Sequence, residues 1–338
     1  MMHCHDGVPA MKFFIYALRD YDEKQYLEEY SKQFGFEYES TFEYPSYENI
    51  DRVKGCDGVS VITNPIDAAF LDKMHSLGVK YLATRSIGYE HIDIKHAYEL
   101  GMRVSHVTYS PNSVANYAIM LMLIACRQIP FIMKKAVRQD FSLKGNLGKE
   151  LSESTVGVLG TGNIGATVVR HLSGFGCRIL MNDVYEKEDL KQFGTYTDLE
   201  TLYRESDIVT IHVPALPQNY HMIGREEIAK MKDGVILVNA ARGSLVDTEA
   251  MIDGLESGKI GFAALDTIEH EDGLYYLDRS DSILPNRDRA ILMALPNVFL
   301  TPHMAFYTEQ AVSDMIRNAC IGLVSFARGE ETSLEVPH

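Results

Sequence analysis

No apolar run in this chain is long enough to cross a membrane. The longest, residues 117–126, stops far short of the ~18 residues a span needs. Cysteine is scarce: Cys4, Cys56, Cys126, Cys177 and Cys320 are odd in number and widely spaced. That pattern is neither a disulfide framework nor a metal-ligand spacing, and it suits the reducing cytoplasm. No other His, Cys or Asp cluster has ligand spacing, so no metal is expected. Residues 1–10 include His3, Cys4, His5 and Asp6 but lack the apolar stretch of a signal peptide. They read as a disordered leader before a start at Met11. Positive charge is also short, with 32 Lys and Arg against 47 Asp and Glu and a net charge of −15. Such a chain repels phosphate backbones and anionic lipid, which excludes nucleic acid and membrane as partners unless a basic patch exists. The densest basic cluster, Lys134, Lys135 and Arg138, reads as a solvated helix face.

What is present is an ordinary globular balance, 46% hydrophobic and 23% charged over 338 residues, enough for about two domains. From Met11 onward, short β-rich runs alternate with helical patterns. Residues 12–18, 58–63, 79–83 and 103–108 read as strands, and 22–34, 71–77 and 92–100 as helices, with Gly78 and Gly101 as C-terminal stops. Such alternation implies a parallel sheet covered on both faces, so the first ~100 residues form a small doubly wound domain. After the punctuation at Tyr109–Asn112 comes an apolar helix over about 114–129, read as core or interface. A second series follows, with strands at Thr155–Leu159, Arg178–Asn182, 208–213, Val235–Asn239, 261–265 and 298–301, and a final helix over 306–329.

Gly160-Thr161-Gly162-Asn163-Ile164-Gly165 stands directly after a strand and before a helical stretch. The first glycine permits a tight turn, the second lets backbone approach a pyrophosphate, and the third lets helix and strand pack closely. The helix N-terminus offers N–H groups to phosphates. Asp183 ends the following strand, where a carboxylate can accept from an adenosine ribose and repel a 2′-phosphate. NAD is therefore the expected cofactor rather than NADP, with Lys187 the one basic residue close in sequence.

Three further residues lie just past strand ends: Arg242, Glu271 and His303. In a parallel sheet such positions converge on the crevice that also holds the glycine loop. Beside a nicotinamide, His303 can give a proton to a developing alkoxide, Glu271 can orient its imidazole, and Arg242 can grip substrate oxygens in a fork.

With those residues in view, the sequence resembles the D-isomer-specific 2-hydroxyacid dehydrogenase family, from about Met11 to the C-terminal helix. The matching stretches are TVGVLGTGNIG at 155–165, His212-Val213-Pro214, NAARGSLVD at 239–247, 264–271 and PNVFLTPHMA at 296–305. TRSIGYEHID at 84–93, YSPNSVA at 109–115, FYTEQA at 306–311 and the long 272–295 loop place it nearest the D-lactate dehydrogenase branch. The resemblance implies a flavodoxin-like substrate domain (11–109 with 303–330) and a Rossmann NAD-binding domain (110–302), with a cleft between them and a homodimer built on the helix from Val114. It implies Arg242, Glu271 and His303 as the catalytic set. Val213, Pro214, Ala241 and Asp266 join the glycine loop and Asp183 in holding the cofactor. Backbone N–H groups at Ser86, Ile87 and Gly88 bind the substrate carboxylate, with Tyr109 near the hinge and Phe306 near the substrate side chain. The implied reaction is NADH-dependent reduction of a 2-keto acid, pyruvate first, to the D-2-hydroxy acid. The aromatic segment LYYLD at 274–278 leaves 2-ketoisocaproate or phenylpyruvate as alternatives. An NAD-sensing interaction protein on the same fold is a reading from another class, and it would not need the intact catalytic set.

Overall fold

A computed structural model describes residues 11–271 and 273–337. The leader over residues 1–10 lies outside the described residues. The chain divides into two compact units, one running to Ser110 and resuming at Tyr307, the other Pro111–Phe306.

The first unit is a five-stranded sheet, parallel throughout. Its strands are β1 (Lys12–Ile15), β2 (Glu37–Ser40), β3 (Gly58–Val61), β4 (Tyr81–Thr84) and β5 (Arg103–Ser105), in spatial order β2-β1-β3-β4-β5. β3 is buried at all four positions, and its sequence GVSV carries only small or β-branched side chains. β2 is an edge strand with alternating exposure, and its sequence EYES has no apolar run to betray it. Gly78 and Gly101 stand at φ +100° and +74°, closing helices Ala68–Ser76 and Ile94–Glu99 from the left-handed region. The helix Glu309–Ala327 packs back onto this sheet. Beyond it, the tail returns to β5: Val336 N–H donates to Val104, and Arg103 grips Glu335 at 2.6 Å. This unit thus extends past residue 330.

The second unit is a seven-stranded sheet, again all parallel. It comprises β6 (Thr155–Leu159), β7 (Arg178–Asn182), β8 (Thr195–Tyr196), β9 (Ile208–Ile211), β10 (Val235–Asn239), β11 (Ile260–Leu265) and β12 (Val298–Leu300). The order is β12-β11-β10-β9-β6-β7-β8, so strand succession reverses direction between β6 and β9. That reversal opens a crevice at the carboxyl ends, where doubly wound sheets place their ligands. Residues 303–306 belong here and not to the first unit, because the backbone N–H groups of His303, Met304 and Ala305 are all tied to Asp266.

The helix expected over 114–129 is two helices, Asn112–Cys126 and Ile129–Val137, bent by 59° where Gln128 adopts φ +50°. The first is core. No residue of the second is buried. Lys135 is not part of a solvated face: its ammonium is capped by the carbonyls of Ser142 and Lys144 and the Ser142 hydroxyl, at 3.0–3.1 Å. Among the described residues, no single helix is long and apolar enough to cross a membrane.

Candidate active site

The glycine loop follows β6 and opens the helix Asn163–Leu172. Gly160 has φ +87°, and a Cβ on Gly165 would lie 1.9 Å from the Gly160 carbonyl oxygen, so both are required by the protein's own packing. Gly162 is different: a Cβ there would meet nothing within 4 Å. It is also the residue preceding the helix, whose N-terminus has no side-chain cap. Open space beside uncapped N–H groups is a cradle suited to a pyrophosphate.

Asp183 directly follows β7. Its Oδ2 accepts from the Thr161 N–H at 2.5 Å and the Thr161 hydroxyl at 3.1 Å, and its Oδ1 from the Tyr185 N–H at 3.1 Å. Partial burial pushes this carboxyl upward, but those donors outweigh it and hold it below the usual carboxylate range. It is a fixed anion beside the glycine loop. Val213 and Pro214 follow β9 on the other side of the strand reversal. These residues fit a dinucleotide.

Arg242 follows β10, where Asn239 braces the turn by donating to the Arg242 carbonyl (2.8 Å) and accepting from the Ala241 N–H (3.0 Å). The next residue, Gly243, is pressed against the loop that leaves β11: a Cβ would fall 2.0 Å from the carbonyl carbon of Ile268. Only glycine lets the arginine loop and the Glu271 loop stack backbone to backbone. The Arg242 guanidinium donates to the Ala241 carbonyl at 2.9 Å.

His303 and Glu271 meet directly. Nδ1 of His303 lies 2.7 Å from Oε1 of Glu271, while Oε2 of the same carboxylate accepts the Ile268 N–H at 3.0 Å. His303 sits at φ +54°, a conformation an L-residue adopts only under constraint. Its N–H donates to the Asp266 carbonyl at 2.9 Å, and its own carbonyl accepts the Tyr276 hydroxyl at 2.8 Å. Asp266 is fully buried, and its carboxylate also accepts from Thr301 Oγ1 and the Met304 and Ala305 N–H groups. It fastens the histidine segment to β11. The rings of Tyr276 and Phe306 lie edge-on to one another at 6.0 Å, and each is within 6.4 Å of the His303 ring.

In the first unit, the Ser86–Gly88 loop has its carbonyls turned inward. They accept from the Val107 N–H, His106 Nδ1 and the Ser86 hydroxyl respectively. Thr84 ties the Ser86 hydroxyl to His91. Tyr109 lies one residue before the division of the chain.

The family described as D-isomer specific 2-hydroxyacid dehydrogenase, NAD binding domain, matches residues 119–305. The chain belongs to this family. It is an NAD-dependent D-2-hydroxyacid dehydrogenase. The dehydrogenase is 42% identical to the aromatic 2-oxoacid reductase of Clostridium sporogenes, over 94% of this chain and 96% of that one. It is 38% identical to the D-lactate dehydrogenase of Lactiplantibacillus plantarum, over 90% and 93%. Among solved structures, D-lactate dehydrogenase with NAD+ from Lactobacillus jensenii superposes with a TM-score of 0.84 at 32% identity, covering 97% of this chain and 100% of that one. These likenesses favour the enzyme over the sensor reading.

Sequence reasoning missed Thr301 and Tyr196 as parts of the site's frame, and it singled out 274–278 for its aromatic character without giving the Tyr276 hydroxyl a role. Nothing local marks a tyrosine whose hydroxyl closes on a carbonyl far along the chain. The glycine after Arg242 was a usable signal for close approach.

Proposed function

We propose that the dehydrogenase reduces 2-keto acids whose side chains are larger than the methyl of pyruvate, aromatic and branched ones foremost. The observation that carries this is the pair of rings, Tyr276 and Phe306, beside the His303 imidazole. Apolar surface there is worth about 25 cal/mol per Å² covered, and a methyl covers little of it. The aromatic 2-oxoacid reductase among the relatives supports the same reading. Pyruvate is the second reading, favoured by the D-lactate dehydrogenases among the relatives.

NADH, when bound at the glycine loop and Asp183, supplies the hydride. Arg242 holds the substrate carboxylate and keto oxygen in its planar fork. His303, with Nδ1 committed to Glu271, presents Nε2 to the keto oxygen and gives up its proton as the alkoxide develops. Glu271 keeps the imidazole in one orientation through both protonation states, so the same histidine takes the proton back in the oxidative direction. Val213, Pro214 and Ala241 line the cofactor side and Phe306 the substrate side, while Asp266, expected at the cofactor, is fully buried and serves to hold the His303 segment.

We also infer a cytoplasmic homodimer. Ile129, Met133, Val137, Phe141, Leu143 and Leu147 are all exposed, Leu147 at 91%. Yet the segment carrying them is held in shape by Lys135 and by the Gln128 side chain bonded to the Leu147 carbonyl. A shaped, apolar, uncovered surface on one unit fits a second copy of the chain.

Comparing kcat/KM for pyruvate, 2-ketobutyrate, 2-ketoisocaproate and phenylpyruvate tests the substrate assignment. Phenylpyruvate or 2-ketoisocaproate should lead; pyruvate leading the series overturns it. In the same assay His303→Ala should lose about 10²–10⁴ in turnover while still binding NADH. Near-wild-type turnover in that variant removes His303 from the mechanism.

A further inference from the structure

Tyr196 lies on β8, the two-residue strand at the edge of the second sheet, and belongs to none of the motifs that mark the cofactor site. Its hydroxyl is 2.9 Å from the Thr161 hydroxyl and 3.0 Å from the backbone nitrogen of Lys187. The direction of each bond follows from what the groups can do. An ionised carboxylate only accepts and a backbone N–H only donates. The Thr161 proton therefore goes to Asp183 Oδ2, and the Lys187 N–H goes to the Tyr196 oxygen. The one proton left, on Tyr196, must go to Thr161 Oγ1. The result is a one-way relay, Lys187 N–H to Tyr196 to Thr161 to Asp183, and it does two things at once. It locks both Thr161 donors onto one carboxylate oxygen, so Asp183 cannot turn aside. It also pins the backbone of Lys187, the one cation that follows closely after Asp183 in sequence and could otherwise answer a phosphate.

We propose that Tyr196 is a positioning residue for cofactor selection: through Thr161 it holds the Asp183 carboxylate fixed beside the glycine loop, and through the Lys187 N–H it fixes the backbone of the segment that carries the nearby cation, and so discriminates against a 2′-phosphorylated nicotinamide dinucleotide. Tyr196→Phe removes only the relay's central oxygen. Thr161 then loses its donor and is free to rotate, Asp183 gains freedom to swing, and the segment bearing Lys187 loosens. NADH loses an oriented acceptor while NADPH meets a less rigid anion, so the two affinities move in opposite senses.

The test is direct titration of the purified variant with NADH and with NADPH, followed by nicotinamide fluorescence in the absence of substrate. Losing one hydrogen bond of this kind is worth a factor of about three to ten, and the ratio of the NADPH to the NADH dissociation constant should fall by that factor. Thr161→Val, which cuts the relay one link further on, should reproduce the fall. The double variant should lose no more than either single change, since both act on one chain. A tyrosine that merely supports the edge strand would weaken both cofactors alike; an unchanged ratio in Tyr196→Phe and Thr161→Val overturns the proposal. Because the relay matters only if Asp183 faces the ribose, Asp183→Ala is titrated alongside. NADH binding as tight as in the wild type in that variant refutes the ribose assignment. Weakened NADH binding there, with the Tyr196→Phe ratio unmoved, refutes the relay alone.

Discussion

Replacing Glu271 by glutamine changes almost no volume and leaves every other atom of the site in place. The structure nonetheless predicts a large loss of turnover, because the carboxylate accepts at both ends: His303 Nδ1 at 2.7 Å on Oε1, and the Ile268 N–H at 3.0 Å on Oε2. An amide has one accepting oxygen and one donating nitrogen. If its oxygen faces His303, the NH2 group confronts the N–H of buried Ile268, and a buried donor left unsatisfied costs about 1–3 kcal/mol. If its nitrogen faces His303, Nδ1 must accept, and a doubly protonated imidazole then meets a donor head-on. The second arrangement is the inverted-tautomer situation, for which loss of an orienting carboxylate costs up to ~10⁴ in turnover. Downgrading a charge-assisted bond to a neutral one sets the lower end, about tenfold. The expected fall in kcat is therefore about 10², measured by loss of NADH absorbance with a saturating keto acid. The NADH dissociation constant should not move, since the Asp183 network is untouched. Glu271→Asp should fare no better, because one methylene less cannot reach both partners. Turnover within about twofold of the wild type in Glu271→Gln, against a fall this size, would refute the dyad; so would an equal loss of NADH affinity.

Two other expectations follow from the second unit. His212 hydrogen-bonds Thr210 through Nε2 at 2.9 Å, and burial pushes its pKa down from 6.5 to about 4. The folded state thus excludes a proton that the unfolded chain takes up below 6.5. Stability is full above that value, and it falls with decreasing pH down to about 4. The loss should reach about 2 kcal/mol near pH 5, less to the extent that the ring still meets solvent. Denaturant midpoints compared at neutral and mildly acidic pH should show a smaller drop in His212→Asn, and equal drops would count against this account. The second expectation concerns assembly. Met133→Glu combined with Leu147→Glu places charge on the exposed apolar face and should convert the proposed dimer to monomers in sedimentation velocity. A wild-type chain already monomeric at micromolar concentration would remove the dimer.

Much of the frame was legible locally. β6, β7 and β10 fall where their apolar runs lie, because strands buried on both faces advertise themselves as unbroken hydrophobic segments. β2 and β8 were missed for the converse reason: EYES and TY are short edge strands with little to bury. The break at Gln128 left a local trace, since the apolar run stops at Cys126, Arg127 and Gln128 are polar and Pro130 opens the next helix, but reading one helix to residue 129 passed over it, and the left-handed turn itself shows only in the backbone. The site shows the same division. Arg242, Asp183 and His303 could be picked out as polar residues just past apolar runs. The 274–278 segment stood out for its rings, but the hydroxyl contacts of Tyr276 and Tyr196 could not be read, since each finds its partner only in the folded chain.

Sequence alone settled the residue types and their order: alternating strands and helices, a glycine turn followed by a carboxylate, and an arginine, a glutamate and a histidine at three strand ends. These are matters of local hydrophobic period and of which chemistry each side chain carries, and a linear reading contains both. Tertiary structure decided the rest. It reversed the strand order between β6 and β9, pressed Gly243 against Ile268, and brought the His303 imidazole onto a carboxylate 32 residues away. Contacts of that kind depend on how whole elements pack, and no window along the chain holds both partners.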